Sequence, residues 1–192
     1  MKQLLALLCT ILIATSAFAT IDNDPDSMGL YFDLDAEFPC IDGTTPYTNV
    51  VLYLILTNPS TDAVYGFEAG LTFVGNAMLL SSTINSINCI NVGTIDNMIV
   101  GFGDPTMTTP ATLLVTFEVL YIDTTMGPVD FYLHGSEPSS IDPVYPTILL
   151  VDGELQMIAT STPYGPSAQI NGGCTVVATD HVSFDEIKSL YR

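Results

Sequence analysis

Three carboxylates open the part of the chain that follows an apolar leader. Asp22, Asp24 and Asp26 stand at every second position of Asp22-Asn23-Asp24-Pro25-Asp26-Ser27. Ca²⁺ takes about six to eight oxygen ligands, and Asp-x-Asp-x-Asp is one spacing that supplies them. Ser27 occupies the place of the sharp-turn glycine, and a strand rather than a helix follows. The last ligand position of such a loop falls on Asp33. Calcium is therefore the candidate ion for Asp22, Asp24 and Asp26, against the plainer reading of a solvated leader. No other cofactor is expected.

Catalytic patterns are absent. The chain has no Gly-x-Ser-x-Gly, no His-Glu-x-x-His and no P-loop. His134 and His181 are the two imidazoles, too few for a multi-His metal site and badly placed for a triad. Gly101-Phe102-Gly103-Asp104-Pro105 lacks a third glycine and a following helix, so it reads as a strand-ending turn. The 21 acids offer pairs for glycoside hydrolysis, but no pair stands out. The chain is expected not to be an enzyme.

Binding chemistry has three other candidates. Tyr47, Tyr145 and Tyr164 lie in proline-containing loops and could offer ring faces to a sugar. Single loop tyrosines also serve simply to cover an edge, and there is no Trp. Of four cysteines Cys9 lies in the apolar leader; the remaining Cys40, Cys89 and Cys174 are odd in number, with three single-bridge choices or three free thiols. A Cys40–Cys174 bridge would fasten the tail to the start of the domain. Val182 to Tyr191 places Phe184, Ile187 and Tyr191 on one helical face, with Ser183 and Glu186 as a capping box. Lys188 and Arg192 sit at its end, so Phe184, Ile187, Lys188, Tyr191 and Arg192 form the candidate partner-binding set.

The charge balance excludes whole classes. Against 21 acids there are three Lys and Arg, for a formal net charge of −18. Nucleic-acid binding runs on Lys and Arg neutralising phosphates, so it is not expected. Lys2, the apolar run Leu4 to Ala14 and Ala17-Phe18-Ala19 read as a signal peptide, residues 1–19, cut before Thr20. No later stretch is apolar for long enough to span a bilayer as a helix. The expectation is a secreted protein, extracellular or at the cell surface, with no membrane insertion after cleavage. Residues 20–172 form one domain and residues 173–192 a tail with a short helix.

The elements that must position these residues read as strands. Asn49 to Thr57 is rich in β-branched and aromatic residues and ends at Asn58-Pro59-Ser60. Val64 to Val74 alternates, with Tyr65, Phe67, Ala69, Leu71 and Phe73 on one face. Leu113 to Tyr121 alternates too, with Leu113, Val115, Phe117, Val119 and Tyr121 on one face. Gly29 to Asp33, Leu79 to Ile84, Asn97 to Gly103 and Val129 to His134 are further strands. Leu149 to Met157 reads as a hairpin with a two-residue type I′ turn at Asp152-Gly153. Eight to ten strands without intervening helices predict an all-β antiparallel sandwich of jelly-roll kind.

Four stretches carry a resemblance. They are Val64-Tyr65-Gly66-Phe67-Glu68-Ala69-Gly70-Leu71-Thr72-Phe73, Ala77-Met78-Leu79-Leu80, Asn97-Met98-Ile99-Val100-Gly101-Phe102-Gly103 and Ala111-Thr112-Leu113-Leu114-Val115-Thr116-Phe117-Glu118-Val119. Together they resemble the cohesin-type, carbohydrate-binding-like β-sandwiches of bacterial secreted proteins, over Asn49 to Leu133. That implies a non-catalytic module recognising a protein or polysaccharide at the cell surface. The end, Phe184-Asp185-Glu186-Ile187-Lys188-Ser189-Leu190-Tyr191-Arg192, resembles the tail of uncharacterised bacterial secreted proteins closing in Trp-Gly-x-x-Lys-x-Leu-Tyr-Arg. Phe184-Asp185 replaces Trp-Gly here, and no activity comes with that likeness. The competing expectations are a structural subunit of an extracellular assembly and a small secreted hydrolase.

Overall fold

A computed structural model describes residues 24–162 and 164–173. The signal segment, Asp22, Cys174 and the expected helix at 182–192 lie outside the described residues. Those described form thirteen strands and no helix.

The alternating runs pair as two facing sheets. The first contains β1 (Ser27–Tyr31), β3 (Thr48–Thr57), β5 (Ala77–Ile84), β8 (Ala111–Tyr121) and β12 (Ala159–Thr160), in the order β12-β1-β3-β8-β5. The second contains β2 (Cys40–Ile41), β4 (Ala63–Val74), β9 (Val129–His134), β10 (Thr147–Leu150), β11 (Leu155–Met157) and β13 (Ala168–Ile170). Its order is β11-β10-β4-β9-β13-β2. β7 (Asn97–Met107) also pairs with β4, and β6 (Cys89–Asn91) pairs with β7.

Period two sends one face of each strand inward. Leu52, Leu54, Phe117 and Val119 from the first sheet meet Phe67, Ala69, Leu71, Phe131 and Ile148 from the second in one buried cluster. Removing such a side chain from water is worth about 1.5–3 kcal/mol each, so this cluster holds the sheets together. A smaller cluster of Tyr31, Ala36 and Ile55 lies apart from it. Asp33 closes the loop behind β1 by accepting from the backbone N–H groups of Asp35, Glu37 and Phe38.

Five expectations need correction. The described residues form thirteen strands rather than eight to ten, because β2, β6, β12 and β13 are pieces too short to show a period. The sandwich is not purely antiparallel, because β1 pairs β12 and β2 pairs β13 in parallel at the sheet edges. Strand phase in β8 breaks at Leu114, where the register with β3 shifts between Leu54 and Ile55. Leu114 thereby joins the main core, and Leu113 packs on the small cluster. The turn at Asp152-Gly153 is not type I′, which needs two residues with positive φ. Only Gly153 has it, at 89°, and the loop closes through Gly153 N–H to Leu150 O and Leu150 N–H to Glu154 O. That is the three-residue hairpin with a glycine bulge. Gly101 to Gly103 does not end a strand but runs inside β7.

Candidate functional site

The second sheet exposes an apolar groove on its outer face. Register places Ile90, Gly101, Gly66, Leu149 and Leu155 in one row across β6, β7, β4, β10 and β11. Two residues further along the same face runs the row Ile99, Glu68, Thr147 and Met157. Val92 donates its N–H to Ile99 O at 3.0 Å and extends that row. The glycines keep the middle of the first row low while the flanking aliphatic chains stand up. The result is a cavity of about 360 Å³ whose lining includes Ile90, Val92, Ile99, Leu149 and Leu155.

The two glycines are low for different reasons. A Cβ on Gly101 would meet no atom within 4 Å. A Cβ on Gly66 would lie 2.3 Å from Val100 O, so β4 and β7 approach there as only glycine allows. Ile90 is 71% exposed and Val92 73% exposed. Contiguous apolar surface of this kind marks interaction sites.

One carboxylate lies at the edge of this groove, buried. Glu68 is 7% exposed. Alternation puts it on the outer face, and the loop after β9 folds over it. Ser140 donates to it from its N–H at 2.9 Å and from its hydroxyl, and Ser136 Oγ donates at 3.4 Å. The Asn97 side chain holds that loop: its Nδ2 donates to Glu137 O at 2.7 Å and its Oδ1 accepts from Glu137 N–H at 2.8 Å. Beside Glu68 in register sits Thr147, fully buried, whose Oγ1 has no hydrogen-bond partner. There is no Lys or Arg among the described residues, so Glu68 has no such partner there.

The residues singled out by sequence are scattered. Asp26 accepts from Ser60 N–H and Ser60 Oγ, both at 2.7 Å, and so pins the β3–β4 turn. Asp24 is described and Asp22 is not; among the described residues no three His, Cys, Asp or Glu gather as a metal site. Tyr47 precedes β3 and donates its N–H to Tyr121 O at 2.7 Å. Tyr145 precedes β10, and Tyr164 lies in the connection from β12 to β13. The three tyrosines therefore occupy three separate connections. Cys40 is not a free thiol, Cys89 is free, and Cys174 lies outside the described residues. Phe184, Ile187, Lys188, Tyr191 and Arg192 also lie outside them. His134 ends β9, its Nδ1 2.6 Å from Gly135 O.

Elsewhere Asp123 locks the turn from β8 to β9. It accepts from Thr125 Oγ1 at 2.6 Å, Thr125 N–H at 2.7 Å and Asn76 Nδ2 at 2.8 Å. The Thr125 hydroxyl first, and Asn76 next, hold its carboxyl below the ordinary value of 3.8.

Sequence reasoning missed Glu68 and Thr147. The one available signal was a lone acid inside a strand otherwise made of apolar residues, glycines and Thr72.

No family model matches the chain, and no curated protein matches it. Solved structures do. The third ScaB cohesin of R. flavefaciens, in complex with a group 1 dockerin, aligns over 77% of this chain and 95% of its own, at 11% identity and a TM-score of 0.49. The sixth cohesin of scaffoldin B from Acetivibrio cellulolyticus, also in complex with a dockerin, aligns over 76% of this chain and 96% of its own. Identity there is 11% and the TM-score 0.51. The described residues thus have a cohesin-like β-sandwich fold.

Proposed function

We propose that this chain is a non-catalytic protein-binding module, exported by residues 1–19, that docks a protein partner on the outer face of its second sheet. The observation that carries the reading is the row Ile90, Gly101, Gly66, Leu149 and Leu155, apolar and open along an otherwise acidic molecule. A partner of basic, partly apolar surface complements it. The net charge of −18 would steer such a partner and repel acidic competitors. That the similar Acetivibrio cohesin was solved with a dockerin bound supports a protein as the class of ligand. Sugar recognition has less support, since Tyr47, Tyr145 and Tyr164 occupy separate connections.

The test is a selection of random peptides displayed against the protein, followed by titration of the selected peptides into wild type and Gly101→Val. The valine fills the open groove without meeting a neighbour at its Cβ. Selected peptides should lose at least about tenfold in affinity, the scale of one lost anchor. Equal affinity for both proteins, or no peptide selected above background, would overturn the reading.

A further inference from the structure

Resting on that docking reading, we infer that the groove holds the side chain of a lysine from the protein partner, its aliphatic stem along the apolar wall and its ammonium between Glu68 and Thr147.

Three observations converge. First, a carboxylate is buried with hydroxyl and amide donors but no lysine or arginine among the described residues to neutralise it. Burying such a charge unpaired is costly. Second, Thr147 Oγ1 is buried, unpartnered and beside Glu68 in register, on the lining of the same cavity. A buried polar atom without a partner calls for a reason, and a donor brought by a ligand would supply one. Third, the approach to these two groups is aliphatic, through Ile99, Leu149 and Leu155. A long apolar stem with one charged tip matches that order of surfaces.

Lysine fits better than arginine. A guanidinium takes a carboxylate through a two-pronged fork. Both Glu68 oxygens already accept from serine donors, Oε1 from Ser140 Oγ and Oε2 from Ser140 N–H and Ser136 Oγ. The fork would have to displace them. An ammonium is a compact charge with three donors, and it can add one bond to the carboxylate and give another to Thr147 Oγ1.

The experiment uses two probes of equal length, n-hexylammonium and 1-hexanol, titrated into the isotope-labelled protein by NMR. The ammonium should shift the amides of Glu68, Ile99 and Thr147 and bind at least about tenfold more tightly than the alcohol, as one charged hydrogen bond implies. Glu68→Gln, which keeps the shape and acceptor oxygen that the Ser140 N–H requires, should cost the ammonium about that factor. It should leave the alcohol unchanged. Equal binding of the two probes, ammonium shifts mapping elsewhere, or indifference to Glu68→Gln would each overturn the lysine. If the alcohol binds and Gly101→Val blocks it, the groove survives as a docking face without a cation site. To separate a protein lysine from a free amine, a peptide selected on the groove is compared with its lysine-to-norleucine analogue. The analogue should bind about tenfold more weakly; equal affinity refutes a lysine anchor.

Discussion

The backbone N–H of Gly173 donates to the Asp42 carboxylate at 3.1 Å, two residues after Cys40 and one before Cys174. Residues 169 to 173 are tied along the segment from 39 to 44 at every second step. Gln169 N–H donates to Pro39 O and Asn171 N–H to Ile41 O, while the Asn171 amide bridges both backbone groups of Thr44. This supports the Cys40–Cys174 pairing as a proposal. An unreduced peptide map should join these two cysteines and leave Cys89 alkylated. Removing the bridge should cost about 2–4 kcal/mol, because it closes a long loop. Alkylation of all three thiols without reduction would refute it.

Gly66 and Gly101 face each other across β4 and β7, yet they should respond oppositely to alanine. Gly66→Ala drives a Cβ into Val100 O and should cost roughly 1–3 kcal/mol by forcing the backbone apart. Gly101→Ala enters open space and should stay within about 0.5 kcal/mol of wild type or gain slightly, since glycine is a poor strand residue. Urea denaturation of both variants decides it; equal losses would contradict the geometry.

Thr147→Val should stabilise the free protein. The hydroxyl is buried without a partner, and replacing it by a methyl removes a desolvation cost of about 1 kcal/mol. The same change should weaken n-hexylammonium binding. A less stable variant would show that the hydroxyl already has a partner in the free state.

Asp123 should make part of the stability depend on acid. Its folded-state carboxyl titrates below 3.8, held by Thr125 and Asn76. A depressed folded value contributes stability that is present above the unfolded pKa and lost as pH falls through the folded one. Melting temperature followed downward from pH 5 should therefore fall less steeply in Asp123→Asn, which starts lower. Parallel curves for the two proteins would contradict this.

Legibility from sequence followed element length and locality. The long alternating runs 49–57, 64–74 and 113–121 announce their strands because period two is a local signal. β2, β6, β12 and β13 have two or three residues each, too few for any period, and all but β6, which pairs with the next strand β7, form through partners distant in the chain. The break at Leu114 arises from a register shift against β3, which alternation within β8 does not encode. Glu68 was legible as an outward residue but not as a buried one. Its cover comes from Ser136 and Ser140, some seventy positions later. The Asp22, Asp24 and Asp26 pattern looked chemical, yet Asp26 serves a turn through Ser60.

The central claim is that partners dock on the outer face of the second sheet. Its most direct measurement is the affinity of one groove-selected peptide for wild type, Gly101→Val and Glu118→Gln, the last an exposed change on the first sheet. The account predicts that Gly101→Val loses at least about tenfold while Glu118→Gln matches wild type. Full affinity for Gly101→Val, or a loss confined to Glu118→Gln, would contradict it.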